Sequence, residues 1–213
     1  MEYSFHIYNK LAADGVTMSA DKLLHTDFLR KSKKPTGTSR NETPVITDKE
    51  AWELEKPPVI VCIGSDLAIG DSLGPITGSM LKYKTQGLNV FLYGTLAAPV
   101  TAKEIPYMHT FLKETHAGSQ VLAIDAAVGD KGDIGLIRIN DAPLLPGAGA
   151  NKKLGAIGDV SVMGIVAEKS LSNYGLLNTT RLNLVYTMSE IISEAVAALL
   201  WERCSRKKGQ KNA

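Results

Sequence analysis

Residues 59 to 75, VIVCIGSDLAIGDSLGP, decide the fold class of this chain. The unbroken apolar run Val59–Ile63 is typical of a strand buried on both faces of a parallel sheet. A glycine-punctuated turn follows, and the apolar spacing then predicts a helix over Leu73–Lys84, with Pro75 in the first turn where its missing N–H costs nothing. Asp71 therefore lies at the carboxyl end of a buried strand, where open α/β sheets bind their ligands.

The rest of the chain repeats this alternation of strand and helix. Further strands are predicted at Val90–Tyr93, Val121–Ile124, Gly132–Ile139 and Val160–Val166. Helices are predicted at Ala102–Thr115 and from about Asn183 to Arg203, the latter with apolar residues at core-facing spacing. Alternating elements of this kind predict an α/β fold, a three-layer α/β/α sandwich with a mainly parallel twisted sheet.

The N-terminal quarter has a different composition. Tyr3–Tyr8 alternates like a short edge strand, and Ser19 is placed to cap a helix over Asp21–Arg30. Residues 32–48 contain almost no apolar side chains, which is typical of a linker. We therefore expect residues 1–56 to be an N-terminal segment and linker packed on or beside the main domain, residues 57–203 to be that domain, and residues 204–213 to be a basic tail.

Composition narrows the class of protein. A chain of 213 residues with 44% hydrophobic residues suits one buried core, and its two cysteines form no disulfide framework. No apolar run approaches the roughly 20 residues of a membrane helix, and the N-terminus lacks a signal-peptide pattern, so we expect a cytoplasmic protein with no membrane partner. Basic clusters at 30–34 and 203–211 are either solvated segments or weak contacts for nucleic acid or an acidic partner; nothing predicts specific nucleic-acid binding.

Asp71 has a candidate partner in Asp125, which directly follows the predicted strand Val121–Ile124. If the two strands are neighbours, both carboxylates face one crevice. Two close carboxylates do not both ionise freely, so such a pair offers an acid and a base together, as activation of water and protonation of a leaving amine require. The alternative is that each aspartate is structural, Asp71 as a helix N-cap and Asp125 as the cap of a loop.

Two loops supply candidate substrate-binding groups. The turn after the first strand offers Gly64, Ser65 and Asp66, whose backbone amides are placed to position a peptide. The long Gly- and Pro-rich loop 140–158 offers glycines that permit close backbone approach, with an amide and two ammonium groups that could orient a carbonyl: Gly147, Gly149, Asn151, Lys152 and Lys153. The alternative for this loop is an ordinary solvent-exposed segment.

Several common sites are absent from the sequence. GSDLAIGDSLG lacks the spacing of a dinucleotide fingerprint and the Lys-Ser/Thr pair of a phosphate-binding loop. The four histidines are not spaced as a metal cluster. We therefore expect no cofactor and no metal.

IGSDLAIGDSLGP, AIDAAVGD and PGAGANKKLG together resemble, in this order, three segments of the bacterial germination protease family, spore endopeptidases that degrade small acid-soluble spore proteins. The resemblance is closer to their shorter YyaC-type sporulation relatives, whose ending also resembles GDVSVMGIV, and it covers about Pro58 to Ala198. It implies that Asp71 and Asp125 are the catalytic aspartates and that the protein acts inside the spore or sporulating cell. A more distant similarity links the chain to hydrogenase-maturation endopeptidases, whose metal-binding histidine has no counterpart near Lys152.

These observations lead to one expected function and two alternatives. We expect a spore protease-like endopeptidase that hydrolyses peptide bonds with an aspartate pair during sporulation or germination. The alternatives are a non-catalytic sporulation factor that binds a peptide or protein, and a metal-dependent maturation peptidase. The expected partner is a protein or peptide substrate, and a homo-oligomer is compatible with the sequence.

Overall fold

A six-stranded sheet forms the centre of the computed structural model, which describes residues 1–32, 56–147, 154–169 and 180–211. The strands are β1 (Glu2–His6), β2 (Val59–Cys62), β3 (Phe91–Tyr93), β4 (Val121–Gly129), β5 (Leu136–Asn140) and β6 (Val160–Glu168). Their order across the sheet is β1-β5-β6-β4-β2-β3. β3, β2, β4 and β6 pair in parallel, and β5 pairs antiparallel with both β6 and β1.

Helices cover both faces of this sheet. They are α1 (Ala12–Ser32), α2 (Leu73–Lys84), α3 (Ile105–Thr115) and α4 (Leu182–Lys211), with short 3₁₀ turns at Gly70–Ser72 and Lys131–Asp133. The apolar sides of α1, α2 and α4 share one core cluster with Ile60 and Cys62 of β2, whereas α3 shares the second cluster with Val59 and Val61. Alternate residues of one strand therefore face opposite helical layers, which confirms the predicted α/β/α sandwich with a mainly parallel sheet.

Most predicted elements are present, with shifted ends. The helix over Leu73–Lys84 is confirmed, and β1 is the predicted edge strand. The predicted strand Gly132–Ile139 is instead a 3₁₀ turn followed by β5, and β4 continues through Asp125 to Gly129 because β6 pairs with it along this length. The predicted division between residues 56 and 57 does not divide the hydrophobic core, because β1 belongs to the sheet and α1 contributes to the first core cluster.

The N-terminal helix begins earlier than predicted. Ser19 is buried inside α1 rather than capping it. Asn9 lies at the start instead, where its side-chain Oδ1 accepts a hydrogen bond from the Leu11 N–H at 3.0 Å and its carbonyl accepts one from the Ala12 N–H. The predicted linker at 32–48 lies almost wholly outside the described residues, and the first residues of the predicted basic tail continue α4 to Lys211.

By length and composition alone, α4 from Leu182 to Arg206 is able to cross a membrane. In the structure, 56% of its apolar window is buried inside the protein. Met188, Ile192 and Val196 are fully buried in the first core cluster. A buried core helix of a soluble protein passes the same test, so the length of α4 is weak evidence for a membrane span.

Glycines allow β2, β3 and α2 to approach closely. A Cβ on Gly74 would lie 2.0 Å from the Ile63 carbonyl oxygen, and one on Gly78 would lie 2.0 Å from that of Gly94. Gly94 has φ +86°, and its Cβ would lie 1.7 Å from the Cys62 carbonyl oxygen. Because each clash is with backbone, it is not relieved by a rotamer change. The start of α2 is therefore held against the end of β2.

Replacing Gly94 by alanine tests this close packing. We expect Gly94→Ala to lower the free energy of unfolding by about 3 kcal/mol or more, because left-handed strain adds to a backbone clash. Urea denaturation followed by circular dichroism measures the change.

Gly87→Ala is the matched control, since Gly87 has a similar φ of +85° and nothing within 4 Å of its would-be Cβ. That variant should lose only about 1 kcal/mol, the cost of the backbone conformation. Equal losses in the two variants would show that the clash with Cys62 contributes nothing.

Candidate active site

The Asp71 side of the site is a tight turn between β2 and α2. Gly64, with φ +137°, ends the strand, and its N–H donates to the Val100 carbonyl at 3.0 Å. The Ser65 N–H donates to the backbone carbonyl of Asp71 at 3.1 Å, and the Asp71 N–H donates to the Ala68 carbonyl at 3.0 Å. These bonds close the turn on itself, so that Asp71 has a fixed position at the carboxyl edge of the sheet.

The structural alternative for Asp71 as an N-cap is wrong. Asp71 lies in the 3₁₀ turn Gly70–Ser72, the N-cap of α2 is Ser72, and neither helix start has a side-chain capping bond. The Ser72 hydroxyl donates instead to the Ile69 carbonyl at 2.7 Å. The half-buried carboxyl group of Asp71 therefore does not act as the N-cap of α2.

Asp125 is placed by the sheet itself. β2 pairs with β4 up to Cys62 and Ile124, and β4 then continues beside β6 with Asp125 opposite Met163. β2, which leads into the turn that carries Asp71, and β4, which carries Asp125, are thus hydrogen-bonded neighbours, as the crevice hypothesis requires. Asp125 is 9% exposed, and its Oδ1 accepts a hydrogen bond from the Ala126 N–H at 2.8 Å.

Burial and proximity change the acidity of both carboxyl groups. Loss of solvent raises the pKa of Asp125 well above its ordinary value, and the nearby charge of Asp71 raises it further. Loss of solvent also raises the pKa of Asp71, partly opposed by the Ser65 backbone N–H, which favours the ionised form. The pair therefore retains a proton to higher pH than isolated aspartates, and Asp125 is the better site for it.

The predicted substrate-binding residues have different outcomes. Ser65 and Asp66 lie in the Asp71 turn, half-buried and exposed respectively. Gly64 does not offer its N–H to a substrate, because that group bonds to Val100. Gly147 is half-buried with φ 72°, whereas Gly149, Asn151, Lys152 and Lys153 lie outside the described residues. Whether any of these groups binds substrate stays a prediction.

Sequence reasoning missed how the turn is fixed. A Cβ on Gly64 would lie 2.1 Å from the Asp71 carbonyl oxygen, so glycine is required for the turn to close. The carbonyl of Leu73, two residues after Asp71, accepts hydrogen bonds from the hydroxyls of Thr77 and Ser189. The glycines around GDSLGP were visible in the sequence, but the contact with Ser189 of α4 had no local signal.

A metal site requires more donors than the pair supplies. In the parts of the chain that the structure describes, no group of three or more His, Cys, Asp or Glu side chains is arranged to hold a metal ion. Two carboxylates alone do not complete the ligand set of a catalytic zinc or a similar ion.

Comparisons with known proteins show the family. The model of the family described as protein of unknown function (DUF1256) matches residues 41–195, and the chain belongs to this family. The uncharacterized protein YyaC of Bacillus subtilis is 40% identical over 142 residues, which are 67% of this chain and 69% of that protein.

A solved structure is also similar. The [NiFe] hydrogenase maturation protease HycI from Thermococcus kodakarensis matches 72% of this chain and 97% of its own, with 18% identity and a TM-score of 0.46. At this level the likeness concerns the course of the chain alone and says nothing of chemistry.

The raised pKa of Asp125 predicts a specific pH dependence of stability. Between its ordinary value of 3.8 and its raised value, the folded protein binds more protons at this site than the unfolded chain. Its contribution to stability is therefore fully present at low pH and is lost as pH rises through the folded pKa. Asp125→Asn should remove this loss, so its free energy of unfolding should fall less than that of wild type as pH rises above the ordinary value of 3.8.

Urea unfolding at a series of pH values checks this expectation. Asp14→Asn, a change at an exposed residue of α1, is the control and should keep the wild-type dependence. If the free energy of unfolding of wild type and of Asp125→Asn depended on pH in the same way, this would contradict a pKa of Asp125 raised by burial and by the nearby Asp71.

Proposed function

We propose that this DUF1256 protein is an endopeptidase that hydrolyses peptide bonds with Asp71 and Asp125. The observation that carries the proposal is that Asp125 on β4 and Asp71, in the turn after the neighbouring strand β2, interact electrostatically in a partly buried site. Strongly perturbed carboxyl pairs in such a crevice are typical of acid–base catalysis. The resemblance of the same segments to germination proteases supports a role in sporulation or germination.

We assign different roles to the two residues on the basis of their burial. Asp125 holds the proton because it is more deeply buried, and Asp71 is the ionised partner. Asp71 accepts a proton from a water molecule as the water oxygen bonds to the carbonyl carbon of the peptide. Asp125 donates its proton to the amide nitrogen as the C–N bond breaks. The products are a carboxylic acid and an amine, and transfer of one proton from Asp71 to Asp125 restores the starting state.

The turn around Asp71 supports this mechanism by preorganisation. Its backbone hydrogen bonds are made within the turn and to Val100, so the main chain at Asp71 needs no rearrangement before reaction.

Cleavage by aspartate variants tests the proposal. Asp71→Asn and Asp125→Asn should each lower kcat/KM by about a thousandfold or more, because an amide of the same shape neither takes nor gives the proton. Peptide products from an unstructured protein substrate are identified by mass spectrometry.

Asp14→Asn is the control for a general effect of charge, and circular dichroism verifies that every variant is folded. Cleavage that survives either substitution would rule out the acid pair. Activity that is abolished by a chelator and restored by added metal would favour the maturation-peptidase alternative. Binding of peptide without any turnover would favour the non-catalytic alternative.

A further inference from the structure

The two loops that follow β2 and β3 expose apolar side chains. Leu67 and Ile69, in the turn that carries Asp71, are 90% and 38% exposed. Leu96, in the loop after β3, is 44% exposed, and Ala97 and Ala98 beside it are exposed as well. We refer to Leu67, Ile69, Leu96, Ala97 and Ala98 as the apolar rim. Large apolar side chains in water next to a candidate catalytic group mark an interaction site more often than chance exposure.

The two loops are joined at their bases. The Gly64 N–H donates to the Val100 carbonyl, and Ile63 forms a parallel bridge with Val100. The two segments therefore leave the sheet side by side at its carboxyl edge, where Asp71 and Asp125 lie. The rim therefore begins in the turn that carries Asp71 and extends along α2 to Leu96, whose N–H contacts Ser79.

Both loops are held rigidly without the help of their apolar side chains. Thr95 and Ala98 exchange two backbone hydrogen bonds, and the Leu96 N–H donates to the Ser79 hydroxyl at 2.9 Å. In the other loop the Leu67 N–H donates to the Ser65 hydroxyl at 3.2 Å. A preorganised apolar surface loses little entropy when it binds a ligand, so its exposed side chains are available for recognition.

Charge restricts the occupant. Residues 64–71 and 94–100 contain Asp66 and Asp71 and no basic residue. An anionic ligand such as a nucleic acid would be repelled, whereas a neutral or basic apolar ligand would not. Alternating apolar side chains of an extended polypeptide match these conditions.

We infer that the apolar rim binds apolar side chains of an extended polypeptide substrate and so directs the adjacent peptide bond to the aspartate pair. This inference rests on the proposed endopeptidase function and specifies its substrate class as apolar, non-acidic segments of polypeptide. Leu67 and Leu96 are the specificity-determining residues.

Peptide binding to the Asp125→Asn protein tests the inference separately from cleavage. The probe is a fluorescein-labelled peptide of alternating leucine and glycine with a lysine at each end, compared with a peptide in which serine replaces leucine. Fluorescence anisotropy should show tighter binding of the leucine peptide. Adding Leu67→Ser and Leu96→Ser should weaken that binding about tenfold while leaving the serine peptide unaffected.

Met18→Ser is the matched control, because Met18 is 73% exposed on α1, which packs against β1 and β5 at the opposite side of the sheet from β2 and β3. It should leave the binding of both peptides unchanged.

Several results would overturn the inference: no preference for the leucine peptide, equal binding with and without the rim leucines, or an equal loss in the Met18 control. A change in molar mass by light scattering on removing the leucines, with peptide binding unchanged, would identify the rim as a contact between copies of the chain. If the wild-type protein did not cleave peptides but still bound them through the rim leucines, the result would count against the endopeptidase function alone.

Discussion

The contact on which the site depends is between two stretches of backbone, Gly64 and Asp71. Gly64 adopts a left-handed conformation with no room for a side chain, and the Asp71 carbonyl fills the space that a Cβ would need. The Ser65 N–H binds that same carbonyl. Because these are main-chain contacts, the backbone position of Asp71 does not depend on a mobile side chain elsewhere. The hydroxyl of Ser189 on α4 then ties the start of α2 to the core at Leu73.

The acid pair opposes the stability of the fold that carries it. A buried carboxyl group beside a second one disfavours the ionised form, and the folded protein must either retain a proton there or bear the repulsion. Elsewhere, the chain uses charge in the opposite way. Asp21 has a lowered pKa because Arg203 and Arg206 outweigh its desolvation, and it links α1 to α4. An unneutralised pair in one crevice is therefore a local exception, as expected of a reactive site.

Position in the sheet connects the pair to the apolar rim. The parallel strands β2, β3 and β4 end at one edge, and the loops that follow β2 and β3 contain few groups other than apolar side chains and acids. The proposed chemistry and the proposed recognition therefore involve the same short segments. The helix layers on both sides bury β2 and β4.

The sequence by itself determined the alternation of strands and helices, the helix Leu73–Lys84 and the identity of the two aspartates, because apolar periodicity and glycine spacing are local properties. Whether those aspartates lie near each other depends on the order of the strands, and only the tertiary structure shows that β2 and β4 are neighbours. The same holds for the extension of β4 past Asp125, which depends on hydrogen bonds to β6, a strand distant in sequence. The N-cap reading of Asp71 was equally consistent with the local pattern and was wrong because the chain inserts a 3₁₀ turn before α2. Long-range pairing and close backbone packing decided these points, and neither leaves a signal within a short window of residues.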